Sequence, residues 1–66
     1  MAIVKVIELL AESNKSWEDA TQNALKESSK TVNNIQAIYI KDFKAVVENG
    51  EISAYRVNAK VSFKVE

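Results

Sequence analysis

The chain has 66 residues, nine Lys and Arg against nine Asp and Glu, and neither Cys nor His. These numbers exclude a second domain, a disulfide, thiolate and imidazole metal sites, and the usual nucleophile–base pairs of enzymes. Zero net charge argues against a nucleic-acid binder, and 47% hydrophobic residues are too many for a disordered chain.

Residues 2–10, Ala-Ile-Val-Lys-Val-Ile-Glu-Leu-Leu, are rich in β-branched side chains and read as a strand, with Lys5 and Glu8 as its charges. Residues 11–15, with Ser13, Asn14 and Lys15, read as a loop. Ser16 opens a helix. Asp19 three residues later makes a capping-box-like start, and Glu18 and Asp19 in the first turn with Lys26 and Lys30 further on suit the helix dipole. Trp17, Ala20, Ala24, Ser28 and Thr31 share one helical face, and Asn33 and Asn34 end the helix. The two Ala residues let it lie close to whatever it covers.

Residues 35–48 form a second extended segment carrying Ile35, Ile38, Ile40, Phe43, Val46 and Val47, whose imperfect alternation over 41–45 predicts a bulge or bend. Asn49-Gly50 signals a two-residue type I′ hairpin turn. In the third strand, 51–66, Tyr55, Val57, Ala59, Val61, Phe63 and Val65 alternate with Arg56, Asn58, Lys60, Ser62 and Lys64, giving one apolar face and one polar, basic face.

The order β-α-β-β in one domain, residues 1–66, predicts an α+β fold. With the third strand placed between the other two, the sheet is antiparallel and the helix covers one of its faces. The other face has no cover within the chain. A domain this small buries only ~60% of its unfolded surface and is marginal as a monomer. With disulfides and zinc removed, self-assembly is the remaining route to stability, supplemented by a hard cation on carboxylates. No apolar run approaches the ~20 residues of a membrane span. The opening Met1-Ala2-Ile3-Val4-Lys5 carries no signal-peptide pattern, so a cytoplasmic location is expected.

Few residues stand out for function. Trp17 reads as a helix-start residue packed on the sheet or at a subunit contact, with an aromatic platform for a ring ligand as the alternative. Arg56 is a solvated or ion-paired side chain, or else a bidentate contact for a carboxylate or phosphate. Lys60, Lys64, Lys41 and Lys44 form a basic stripe that reads first as a solvated face. The carboxylates are scattered, with no EF-hand spacing, and build a calcium site only where copies meet at a symmetry axis. There is no acid–base pair, phosphate-cradling Gly loop or nucleophile arrangement, so no enzyme is expected.

Several segments agree in order with one family. They are Lys5-Val6-Ile7-Glu8-Leu9, Ser16-Trp17-Glu18-Asp19-Ala20, Val32-Asn33-Asn34-Ile35, Glu48-Asn49-Gly50, Tyr55-Arg56-Val57 and Lys60-Val61-Ser62-Phe63-Lys64. On these the whole chain resembles the dodecins. The resemblance implies a hollow homododecamer with helices outside and sheets facing inward, which binds flavins in pairs as a store. In flavin-binding dodecins a Trp on the second strand stacks on the isoalloxazine ring, and that position matches Ala37. A Gln on the third strand, just after the position of Tyr55, hydrogen-bonds the ring, and that position matches Arg56. Trp17 matches a different family Trp, at the helix start. Losing a ring-on-ring stack forfeits ~1–3 kcal/mol per ring, and Arg donates hydrogen bonds where Gln both donates and accepts. The Ala37–Arg56 pattern looks more like the dodecins that lack the flavin Trp, some of which bind calcium.

The expected function is therefore a non-enzymatic shell that binds or stores a small ligand or ion, without membrane or nucleic-acid partners. Ala37, Arg56, Tyr39 and Tyr55 line the former flavin pocket, and the metal ligands are unassigned. Two alternatives remain. One is a riboflavin- or FMN-storing dodecin in which Tyr39 or Tyr55 supplies the stack, and the other is a structural or calcium-binding shell.

Overall fold

A computed structural model describes residues 3–65. The elements are β1 (Ile3–Ser13), α1 (Trp17–Ser28), β2 (Ile35–Glu48) and β3 (Glu51–Val65). The sheet order is β1-β3-β2 and both pairings are antiparallel, so the longest strand lies in the middle, as expected. Ala2 and Glu66, expected at strand ends, lie outside the described residues.

Two boundaries differ from expectation. β1 runs three residues further, because Ala11, Glu12 and Ser13 continue the pairing with Val57, Arg56 and Tyr55. The helix stops at Ser28, short of the expected Asn33. The amides of Lys30 and Thr31 donate to carbonyls three residues back, tightening the chain out of the helix, and Asn34 then turns it at φ 61°. Ser28, Ser29, Thr31 and Val32 hold a helix weakly, so no Gly or Pro is needed to end it.

The helix start forms half of a capping box. The Asp19 amide donates to Ser16 Oγ at 2.9 Å. The Asp19 carboxylate turns instead to the Ser13 hydroxyl, which donates to it at 2.5 Å and also accepts from the Lys15 amide at 2.9 Å. This ties the end of β1 to the first turn of α1.

At the hairpin, Asn49 (φ 53°) and Gly50 (φ 77°) both occupy the left-handed region that a type I′ turn requires, and Glu48 pairs with Glu51. β2 slips register at the expected place, with Lys41 unpaired between Ile40 and Asp42. Two further slips leave Gln36 and, on β3, Ser53 unpaired.

The core lies between α1 and β3. Ala20 and Ala24 meet Val57, Ala59 and Val61, all at 0–1% exposure. A 12-residue helix is ~18 Å long, whereas the protomer extends 52 Å. The helix therefore covers only the middle of one face. No helix is long and apolar enough to cross a membrane among the described residues.

Candidate functional site

Strand register assigns every side chain to a face. The helix side takes Tyr55, Val57, Ala59, Val61 and Phe63 of β3 with their partners. The open side takes Arg56, Asn58, Lys60, Ser62 and Lys64. Beside them lie Val4, Val6, Glu8, Leu10 and Glu12 from β1, and Ala37, Tyr39, Asp42 and Lys44 from β2. The face expected to be polar is thus mixed. Val4 (56%), Val6 (57%), Leu10 (66%) and Tyr39 (64%) are large apolar or aromatic side chains left exposed on it.

Arg56 is ion-paired. Its Nε donates to Glu12 Oε1 at 2.7 Å, and its Nη2 donates to the same oxygen. The two residues are direct cross-strand partners, although 44 positions separate them in sequence. One edge of the guanidinium, its Nε and Nη2 side, is thereby spent on an internal carboxylate. Glu8 also has a partner, Lys41 Nζ, at 3.9 Å.

A depression of about 370 Å³ opens beside this pair, lined by Leu10, Asp42, Phe43, Lys44, Arg56 and Asn58. Leu10 and Asp42 flank Asn58 across the two pairings. Asn58 Oδ1 is buried and has no hydrogen-bond partner among the described residues.

The four residues expected to line one pocket are not gathered in one protomer. Ala37 pairs with Ser62 and Tyr39 with Lys60, six and four positions along β3 from Arg56, or about 20 and 13 Å at strand rise. Tyr55 lies on the opposite, helix-side face. There Trp17 meets it edge-on at 4.9 Å and meets Phe43 at 5.9 Å, while Trp17 Nε1 donates to the Lys44 carbonyl at 3.1 Å. Trp17 is thus a packing residue locking the helix start to β2 and β3. Arg56 lines the depression, whereas Ala37 and Tyr39 share its face at a distance. No cluster of three or more Asp or Glu holds a metal geometry among the described residues.

Sequence reasoning missed Glu12, Leu10, Asp42 and Asn58 as members of this site. The period-two run Val4, Val6, Glu8, Leu10, Glu12 carried the signal for the first two. Reading residues 11–15 as a loop cut it short. Asn58 carried none, since its orphaned oxygen follows from packing alone.

Comparison with known proteins places this geometry. Residues 3–66 match the family model Dodecin. The calcium dodecin of Mycobacterium tuberculosis is 29% identical over 65 residues, which are 98% of this chain and 92% of that protein. A mutant of the Thermus thermophilus dodecin superposes with a TM-score of 0.94 at 26% identity, covering 100% of this chain and 98% of that one. A crystal structure of the M. tuberculosis calcium dodecin, described as calcium-chelating with a calcium-binding site, superposes with a TM-score of 0.85 at 28% identity, covering 97% of this chain and 91% of that one.

Proposed function

The chain belongs to the dodecin family, and from that premise we propose that it works as a non-enzymatic, hollow homododecamer that holds a small ligand or ion rather than a stacked flavin. The observation that carries this reading is the open sheet face. Its large apolar side chains are more than half exposed in a protomer whose core comprises two Ala, two Val and one further Ala. Such a face is stable when copies of the chain enclose it.

The loss of flavin stacking rests on Ala37, whose methyl offers no ring platform, and on Arg56, whose fork is turned to Glu12. Tyr55 cannot replace the missing ring, because Trp17 and the helix side occupy it. Tyr39 is the one tyrosine exposed on the open face, and a flavin-storing dodecin would have to use it.

Of the contents such a shell can hold, we favour calcium. The M. tuberculosis relative is a calcium dodecin. Calcium takes roughly six to eight oxygen ligands. No cluster of three or more carboxylates supplies them among the described residues of one protomer, so the ligands come from carboxylates repeated where copies meet.

Native mass spectrometry of the protein as purified tests the reading. The expected result is a mass near twelve protomers without flavin-sized increments. A monomer or dimer removes the shell, and flavin increments restore the flavin store. Melting temperature should then rise and saturate with added calcium chloride, as mass action requires. Wild-type protein should leave riboflavin and FMN fluorescence unquenched, and the double variant Ala37→Trp, Arg56→Gln should quench it.

A further inference from the structure

The hairpin tip is held by little besides its own turn. The chain's one Gly follows Asn49, so the backbone nitrogen beyond that Asn carries no side chain to hinder it. Glu48 and Glu51 face each other across the turn, and like charges set directly opposite repel. Neither carboxylate has an ion-pair or hydrogen-bond partner among the described residues. Behind them Val47 and Ile52 are 62% and 53% exposed, and β3 slips register at Ser53. A Cβ built on Gly50 meets nothing within 4 Å. In a type I′ turn the first residue has ψ of about +30°. That angle holds the Gly50 nitrogen on the far side of the Cα–C bond from the Asn49 side chain. A closed tip therefore shields the Asn49 amide, and an open tip releases it.

We propose that Asn49 is a site of spontaneous deamidation, gated by opening of the hairpin tip. When the tip opens, the Gly50 backbone nitrogen attacks Asn49 Cγ. An N–Cγ bond forms, the Cγ–Nδ2 bond breaks, and ammonia leaves with the proton that the backbone nitrogen gives up. The product is a cyclic succinimide. Water then opens one of its two carbonyls, giving Asp or isoaspartate with no change of oxidation state. Neither product restores the original tip. Asp still suits the turn but adds a third carboxylate beside Glu48 and Glu51. Isoaspartate carries an extra methylene in the backbone, for which a two-residue turn has no room. The Glu48–Glu51 pair sets the pace of the reaction, because it sets how often the tip opens. The reaction needs neither the shell nor its contents.

The test is timed incubation of the intact protein in mildly alkaline buffer, beside the same chain unfolded in urea. Peptide mass spectrometry locates the mass gain of an amide replaced by an acid, and separation of the Asp and isoaspartate peptides identifies the products. Asn49 in the folded protein should react about tenfold or more slowly than in urea, because attack waits on a minor open population. It should still react ahead of Asn14, Asn33 and Asn34. Glu51→Lys turns the repulsion across the turn into attraction and should lower the folded-to-unfolded rate ratio severalfold further. Equal rates in the folded and unfolded chains overturn the gating. A folded protein in which Asn49 outlasts Asn14, Asn33 or Asn34 overturns the site. An unchanged ratio in Glu51→Lys overturns the role of the carboxylate pair. Should that variant misfold, sodium chloride puts the same question to the wild type, because it screens the repulsion.

Discussion

The two faces of the sheet are made by the same three strands and finished in opposite ways. On the helix side, small residues meet medium ones. Ala20 and Ala24 let the helix backbone approach Val57, Ala59 and Val61, and these five side chains are at 0–1% exposure. On the open side, large apolar residues stand apart between charges, and ion pairs tie the strands, Glu12 with its cross-strand neighbour Arg56 and Lys41 of β2 with Glu8 of β1. One face is completed at its middle by its own chain. The other is arranged as if its completion came from outside. A period-two strand cannot distinguish these outcomes, because it sorts side chains between faces without saying what lies on either.

The contrast can be broken experimentally. The largest effect is expected from Val6→Asp. It adds a charge to the open face, far from the core, so the helix signal in circular dichroism should stay while the assembly dissociates in native mass spectrometry. An intact assembly would mean that this face needs no cover at Val6. Next comes Ala24→Leu, which forces a larger side chain between helix and β3. Overpacking of this kind costs ~1–3 kcal/mol, to be read from urea denaturation at fixed protomer concentration. Ser16→Ala removes the oxygen that accepts the Asp19 amide and should cost ~1 kcal/mol by the same measurement. The smallest effect belongs to Glu12→Gln. Exposed ion pairs contribute ~0–1 kcal/mol, so stability should barely change. The freed Arg56 should nevertheless bind inorganic phosphate measurably more tightly than the wild type does.

Much of the fold was legible in the sequence, and the reasons are local. Alternation from Tyr55 to Val65 places the core face of β3, and Asn49-Gly50 places the hairpin. Both signals lie within a few residues of what they determine. The missed boundaries depend on distant partners. Ala11, Glu12 and Ser13 look like a loop until β3 is laid beside them. Ser28 to Val32 can continue a helix or leave it, and tertiary position decides. The site divides in the same way. Arg56 stands out as a lone guanidinium in mid-strand, but its partner Glu12 lies 44 residues away, and nothing near Asn58 in sequence marks its oxygen as orphaned. That Tyr55 and Arg56 point to opposite faces was legible, because adjacent strand residues always do.

The unpaired Gln36 and Lys41 give the sheet two unlike borders. β2 is kinked twice along its outer margin, and kinked margins are poor templates for a further strand. β1 pairs without interruption from Ile3 to Ser13, so its outer margin is smooth over eleven residues. A stray strand, or another protomer growing toward a fibril, is therefore received at β1 and refused at β2. Aggregation of this chain under stress is expected to begin at that border, where Lys5, Glu8 and Glu12 are the strand's charges.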